Sequence, residues 1–414
     1  MDNKNNIIEL LIAASALILL FYSSDPVFYT DSVRYLNQSM LDPPLYSSII
    51  LIMQSMFNNL NSVVIFQTLL IAFAIVIFTR TLVIFFKIDI FSRTLISLFL
   101  FLPILKFYQN ILTEPLSYAL SLLFVSFVIR LVYKFNIQNL IWSSVFILAL
   151  LLSRNQFIFL YPVIFLLYIG ILFLKIEKKK INLLIASFIS ILIIHNSMIL
   201  LNTYIKQDSL KTESLTYVNL GPFYYTYIDS IYISNMEDVE LFENHNIKKT
   251  LNLIFKEMNN REALMEYYNS RGHFALSLKE IKNYSKDLLK NLALEENTNV
   301  ISLKKEISIT LIKANFGKYI KLIFKKFYDS TWLFVFLPLL MLVASLISFL
   351  KYKSHISLIV LFLSLFTISN HSVIYLFGRV QPRYLIYTDF ILLIFIYIIF
   401  NIFLQNKGNK RKSL

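Results

Sequence analysis

Apolar residues fall in blocks of about 20 along most of the chain, separated by short polar segments. A helical block of that length crosses the ~30 Å hydrocarbon core of a bilayer. Because lipid offers no hydrogen-bond partners, each block must satisfy its own backbone groups and is predicted to be a helix. The pattern predicts about ten transmembrane helices, near 6–22, 61–86, 91–107, 113–133, 138–152, 156–174, 181–204, 331–350, 355–377 and 384–404.

Two segments depart from this pattern. Ser47–Phe57 is apolar but about half as long as a span, which predicts a re-entrant or interfacial helix. Residues 205–330 are the one long polar stretch, with 18 basic and 16 acidic residues, and are predicted to form a large extracytoplasmic helical loop. The predicted organisation is a transmembrane bundle of about seven helices over 1–204, whose first outer loop is 23–60, then this loop, then about three helices and a basic tail over 331–414.

Helical periodicity within the loop is visible in Met236–Met258, Phe274–Leu292 and Ile301–Lys313. Phe316–Tyr328 places aromatic and aliphatic residues among lysines. This pattern predicts a basic amphipathic helix on the outer membrane surface. The alternative is a solvated helix packed on the rest of the loop.

Composition agrees with an all-α polytopic membrane protein, since 57% of residues are hydrophobic and 15% are charged, against about 25% charged in soluble domains. The absence of cysteine excludes disulfides and thiolate metal sites, and six glycines leave no glycine-rich phosphate loop. His245 and His273 form no metal-ligand pattern, so neither a metal site nor a cofactor is predicted.

The net charge of +14 is explained by topology and not by nucleic-acid binding. With a retained first helix and cytoplasmic termini, sixteen Lys and Arg residues fall in the cytoplasmic segments. The short outer segments hold five, at Arg34, Lys106, Arg154, Arg379 and Arg383. The prediction is a multi-pass protein of the plasma or inner membrane.

Of the nine acidic residues outside the long loop, four lie at the predicted outer face, namely Asp25, Asp31, Asp42 and Glu114. Ionisable groups close to a bilayer are costly and therefore indicate function. Asp31 begins a short helical stretch, so it is either a helix cap or a catalytic carboxylate. Arg34 and Tyr35 follow on the same face of that stretch.

Glu114 precedes Pro115 at the outer start of a predicted span, which suits a plain helix start as well as a second acid facing Asp31. The outer arginines Arg154, Arg379 and Arg383 suit phosphate oxygens, whether of a substrate or of lipid headgroups. His371 is a candidate substrate ligand or a hydrogen-bonded group between helices.

These pieces, in this order, resemble the GT-C superfamily of polyprenyl-phosphate-sugar glycosyltransferases, in the branch of protein O-mannosyltransferases and lipid A aminoarabinose transferases. The resemblance covers most of residues 1–205 and 315–400, and departs where many relatives have a second acid and this chain has Ser32. The matching motifs are Asp31-Ser-Val-Arg34-Tyr35, Pro43-Pro44-Leu45-Tyr46, Thr113-Glu114-Pro115-Leu116, Ser153-Arg154-Asn155-Gln156, Asn315-Phe-Gly-Lys-Tyr319 and Pro382-Arg383-Tyr384-Leu385.

The resemblance implies an inverting transfer of a sugar from a polyprenyl-phosphate donor to a hydroxyl of a glycan, lipid or protein acceptor, as in cell-envelope polysaccharide chemistry. Asp31 would be the general base, Glu114 would orient the acceptor or tune Asp31, and the outer arginines would stabilise the departing phosphate. The alternatives are an O-antigen-type polymerase, a flippase or transporter of lipid-linked sugars, and a purely structural membrane protein.

Overall fold

The computed structural model describes residues 2–22, 24–37, 42–174, 177–207, 223–257, 266–269, 274–277, 279–298, 300–377 and 387–398. These residues form two compact units. The first takes in the described parts of Met1–Leu215, Phe336–Asn370 and Leu385–Leu414, and the second those of Thr216–Val335 and His371–Tyr384. We refer to them as the membrane unit and the loop unit.

The membrane unit is built of apolar helices. Five helices of the described chain are long and apolar enough to cross a membrane, and six are shorter and apolar. The protein is therefore a helical membrane protein, while the number of spans and their orientation stay predictions. Its helices are α1 (Asp2–Tyr22), α2 (Thr30–Leu36), α3 (Pro44–Phe57), α4 (Asn61–Phe86), α5 (Ile90–Phe107), α6 (Thr113–Tyr133), α7 (Ile137–Ser153), a 3-10 turn (Asn155–Phe159) running into α8 (Leu160–Leu172), and α9 (Lys178–Gln207).

Helix α6 is the centre of the membrane unit. In its most apolar window 83% of the residues are buried, against 22% for α9. A helix that is apolar all round is expected where neighbours cover every face, or where lipid does. Helix α6 is thus covered mainly by protein and α9 is not. The candidate site is built on the N-terminal end of α6.

Helix α3 corresponds to the predicted half-length segment. It begins with Pro44 in the first turn and ends at Phe57, followed by Asn58 in a left-handed conformation with φ 51°. Its 14 residues rise about 21 Å, which is too short to cross the hydrocarbon core. The predicted short length is confirmed, and its re-entrant or interfacial position stays a prediction.

The first outer segment is fastened to the start of α6 by backbone hydrogen bonds. The Val27 N–H donates to the Gln109 carbonyl over 2.9 Å, and the Ile111 N–H donates to the Val27 carbonyl over 3.0 Å. The buried Gln67 amide of α4 supports the same place by donating to the carbonyls of Tyr108 and Asn110. These contacts bring the residues before α2 next to the residues before α6.

The loop unit has its own hydrophobic core, formed by residues such as Tyr227, Leu251, Leu289 and Leu311. Its elements are α10 (Phe223–Ile233), a 3-10 turn (Met236–Leu241), α11 (His245–Glu257), β1 (Glu266–Asn269), β2 (Phe274–Ser277), α12 (Lys279–Glu295), α13 (Val300–Ala314), α14 (Phe316–Tyr352, which continues into the membrane unit) and α15 (His355–Phe377, which belongs mostly to the membrane unit). The last described helix, α16 (Tyr387–Ile398), lies in the membrane unit.

Two predictions for this loop were wrong. Phe274–Ser277 is not helical but pairs antiparallel with Glu266–Asn269, in a described chain that is otherwise helical. The register sets Tyr267 opposite Leu276, and aromatic residues such as tyrosine are enriched in strands. The helical run predicted from Met236 is also interrupted, because the Asn244 side chain accepts hydrogen bonds from the following N–H groups and starts a new helix.

The basic segment that begins α14 packs on the loop. Its apolar stripe, with Tyr319, Leu322 and Ile323, is buried against Ile233 of α10. Lys318, Lys321 and Lys325 are exposed. This part of the apolar stripe therefore packs on the loop, as the alternative interpretation expects, while Phe324 is 70% exposed. The position of the segment on the outer membrane surface stays a prediction.

Candidate functional site

The first part of the candidate site is an arginine held between two carboxylates. Arg34 Nε donates to Asp42 Oδ2 over 3.1 Å, and Arg34 Nη2 makes a second, very short hydrogen bond to Asp42 Oδ1. Arg34 Nη1 lies 3.8 Å from Asp31 Oδ1. The pair with Asp42 is the bidentate arrangement in which a guanidinium is best fixed. Arg34 therefore holds the short helix α2 against the segment that leads into α3.

Asp31 is not the cap of α2. The N-cap is Tyr29, and its backbone N–H is satisfied by the Ser32 hydroxyl over 2.8 Å. Asp31 is the second residue of the helix and its side chain is 34% exposed. The capping interpretation of Asp31 was therefore wrong, because the N-cap position lies two residues earlier, at Tyr29. The carboxylate stays accessible while its backbone is fixed.

Asp42 differs from Asp31 in its environment. Its side chain is 10% exposed, and burial raises its pKa above the usual 3.8, while the charge of Arg34 and that of Arg154 act in the opposite direction. Asp42 thus makes its ion pair at a desolvation cost. Of the two carboxylates on Arg34, Asp31 is the one that a substrate can reach.

The second part of the site is a buried ion pair at the outer start of α6. Glu114 is almost fully buried, with its side chain 2% exposed, and its Oε1 lies 3.1 Å from Arg154 Nη1. Arg154 follows the last residue of α7 in an extended conformation, with φ −156° and ψ 140°. The same Nη1 donates to the Tyr387 hydroxyl of α16 over 2.5 Å, and the guanidinium lies 5.6 Å from the Tyr387 ring centre. This cluster joins α6 and the end of α7 to α16, which is far from both in sequence.

The two parts are neighbours. The Tyr35 hydroxyl lies 3.5 Å from Thr113 Oγ1, the residue before Glu114. Burial raises the pKa of Tyr35 well above its usual value, with the charge of Glu114 acting in the same direction and that of Arg154 against it. The positive charge of Arg154 also acts to lower the pKa of Asp42. Two ion-paired groups, one accessible carboxylate and a buried tyrosine therefore share one end of the membrane unit.

A polar chain extends from Arg154 towards the last helices. The Gln156 amide donates to Asn370 Oδ1 over 2.8 Å, and the Asn370 amide donates to Thr388 Oγ1 over 3.1 Å. Buried side-chain amides between membrane helices hold them together by hydrogen bonds. His371 follows Asn370 in α15 and is fully buried.

Five of the eight site residues expected from the sequence are thus brought together, namely Asp31, Arg34, Tyr35, Glu114 and Arg154. Arg379 and Arg383 lie outside the described residues. Their roles, and that of His371, stay predictions.

Two contributors were given no role by sequence reasoning. Asp42 was counted among the outer acids, but nothing in the sequence paired it with Arg34, eight residues earlier. Tyr387 carried no signal, because a tyrosine in an apolar block is ordinary. Among the described residues, no group of three or more His, Asp or Glu side chains is arranged to hold a metal ion.

No protein-family model matches the chain, and a search of curated proteins finds no significantly similar sequence.

Proposed function

We propose that the protein is a membrane glycosyltransferase of the GT-C type. It moves a sugar from a polyprenyl-phosphate donor to a hydroxyl of a glycan, lipid or protein acceptor at the outer face of the membrane. The supporting observation is the juxtaposition of an accessible carboxylate, Asp31, with the buried Glu114–Arg154 pair at the outer end of the central helix. The order of sequence motifs supports the same reaction class.

In this proposal Asp31 is the general base. It takes the proton of the acceptor hydroxyl while that oxygen attacks the anomeric carbon of the sugar. The bond from this carbon to the phosphate oxygen breaks, and the lipid leaves as polyprenyl monophosphate. Attack opposite the leaving group inverts the anomeric centre. The proton on Asp31 then passes to solvent, and the carboxylate is regenerated.

The geometry gives the other residues positioning roles in the proposal. Arg34 is occupied by Asp42 on one side and faces Asp31 on the other, so it fixes the base. Glu114 is too buried to meet an acceptor and instead orients Arg154, whose side chain is 16% exposed. Arg154 is then the described guanidinium that can face the departing phosphate.

The charge balance indicates that further cations are needed. Asp31, Asp42 and Glu114 supply three negative charges, against two positive charges on Arg34 and Arg154. A leaving phosphate adds more negative charge to the site. In the proposal Arg379 and Arg383, both predicted to face outward, supply the missing positive charge.

The test is sugar transfer in membranes supplied with radiolabelled polyprenyl-phosphate sugars, comparing wild type with Asp31→Asn. A lost general base is expected to lower the transfer rate by about 10²- to 10⁴-fold. The matched control is Asp25→Asn, because Asp25 lies in the same predicted outer loop, is exposed and accepts a long 3.5 Å hydrogen bond from the Asn61 amide. The control is expected to transfer normally at equal expression.

Normal transfer by Asp31→Asn would show that Asp31 is not the base. If wild type transfers from no donor but extends lipid-linked glycans, the polymerase alternative replaces the transferase. Equal losses in both aspartate variants would indicate a general need for negative charge and would contradict the specific role of Asp31.

A further inference from the structure

The opposite end of the membrane unit carries an ionic cluster that the proposed reaction does not use. Glu9 of α1 accepts hydrogen bonds from Arg80 of α4 through both oxygens, each over 2.5 Å. Arg93 of α5 is almost fully buried, and its Nη2 lies 3.0 Å from Glu9 Oε1. Both carboxylate oxygens of Glu9 are therefore already engaged by two arginines.

A third arginine stands beside this pair. Arg130 lies one turn before the end of α6, and its Nε donates to Thr81 Oγ1 of α4 over 3.0 Å. Its guanidinium lies 5.0 Å from the ring centre of Phe127. Arg80, the residue next to Thr81, is close enough for the two like charges to repel each other. Among the described residues no carboxylate lies within 4.0 Å of Arg130.

Two other acids predicted at this end are engaged elsewhere. Asp89 accepts hydrogen bonds from the backbone and hydroxyl of Ser92, and Glu177 pairs with Lys180. The cluster of Arg80, Arg93 and Arg130 thus carries three positive charges and Glu9 one negative charge. A half-buried arginine beside a second arginine is costly without a counter-ion.

The predicted depth of Arg80 and Arg130 in the bilayer indicates which anion could act as their counter-ion. Arg80 and Arg130 both lie near helix ends that the positive-inside pattern assigns to the cytoplasmic leaflet. Anionic phospholipids provide a fixed phosphate at that depth. A guanidinium donates to phosphate oxygens in a planar fork, so a headgroup phosphate satisfies the donors that Thr81 leaves over.

We propose that Arg130 and Arg80 form a binding site for the phosphate of an anionic phospholipid of the cytoplasmic leaflet. The lipid neutralises the excess charge where α1, α4, α5 and α6 meet, and so joins the four helices at this end. The proposal is independent of the glycosyltransferase reaction, which uses the other end of α6.

The test is native mass spectrometry of the purified full chain, titrated with phosphatidylglycerol, phosphatidylcholine or inorganic phosphate. Wild type is expected to retain phosphatidylglycerol, with one tight site above weak surface binding. Arg130→Gln is expected to weaken that site by about tenfold or more, the effect of losing a charge-assisted hydrogen bond. Arg130→Lys keeps the charge but not the fork, and is expected to fall between the two.

The matched control is Lys134→Gln, because Lys134 is exposed, is the C-cap residue that follows α6 and carries the same charge. Its affinity for phosphatidylglycerol is expected to stay within about twofold of wild type. Gel filtration tests whether each variant is folded. If Arg130→Gln is not folded, Arg130→Lys replaces it in the comparison with wild type.

Four results would overturn the proposal. Equal binding by Arg130→Gln and wild type removes the site. Equal weakening by Lys134→Gln reduces it to general surface attraction. Retention of phosphatidylcholine as tight as that of phosphatidylglycerol, or displacement of the lipid by millimolar phosphate, would show that the anionic lipid is not what the site recognises.

Discussion

The buried pair of Glu114 and Arg154 allows a quantitative test of what holds the candidate site together. Its charges are 3.1 Å apart, and Coulomb attraction at an effective dielectric constant of about 20 gives about 5 kcal/mol. The desolvation of two buried ions opposes this by several kcal/mol each. The intact pair is therefore expected to contribute little net stability, whereas removal of one partner leaves an uncompensated charge.

The perturbation is a double-mutant cycle with Glu114→Leu, Arg154→Met and the two combined. Each single substitution is expected to lower the free energy of unfolding by about 3–5 kcal/mol. The double variant buries two apolar side chains and is expected to lie within about 2 kcal/mol of wild type. The coupling free energy is then at least about 4 kcal/mol.

The assay is equilibrium unfolding in mixed detergent and SDS micelles, followed by helical circular dichroism. The matched control is Glu177→Gln, because Glu177 pairs with Lys180 at a similar 3.0 Å but is 73% exposed. That exposed pair is expected to contribute less than about 0.5 kcal/mol. Because the two ion pairs have similar separations, the difference between their contributions to stability reports the effect of burial.

The reasoning is refuted if the double variant loses as much as the two single variants together, since the charges would then not depend on each other. A loss below about 1 kcal/mol in both single variants would also contradict it. Such a result would mean that the Glu114 carboxylate keeps contact with water, although its side chain is only 2% exposed.

Two smaller predictions concern local structure. Ser32→Ala removes the hydrogen bond that the Tyr29 N–H donates to the Ser32 hydroxyl, and is expected to lower the local stability of α2 by about 1 kcal/mol. The measurement is amide hydrogen exchange in α2, which is expected to become faster; unchanged exchange would show that this bond does not stabilise the helix. Gly170→Ala places a methyl group 2.4 Å from Leu358 Cδ1 and is expected to lower the free energy of unfolding by about 1–3 kcal/mol. The loss is expected near 1 kcal/mol, because Leu358 borders an apolar groove of about 420 Å³ into which its side chain can turn. A stabilised variant would contradict the close packing at this position.

The membrane helices were largely predictable from the sequence. Long apolar blocks have no alternative to helix in lipid, so segments such as Asn61–Phe86 and Thr113–Tyr133 lie where hydropathy placed them. The half-length of α3 was equally visible, because Pro44 and Asn58 bracket it. The loop was less predictable, since a short amphipathic run such as Phe274–Ser277 suits a strand as well as a helix.

The sequence also selected most of the charged residues of the candidate site, because a carboxylate or arginine near a membrane is rare enough to be noticed. The sequence did not determine which charges pair with each other. It offered several acids of the same predicted outer loop as partners for Arg34, and several arginines as partners for Glu114. Only the packing of α6, α7 and α16 joins Glu114 to Arg154 and Tyr387, and only the turn before α3 gives Asp42 to Arg34.

Local sequence therefore determined where this chain is helical, where it is apolar and which residue types reach its outer end. Tertiary structure decided which charges neutralise each other, which carboxylate stays accessible and which arginine, Arg130, is left beside another cation. The physical reason is that helix formation in lipid depends on neighbours a few residues away. Ion pairing between helices instead depends on relative rotation and depth, which are set by packing over the whole unit.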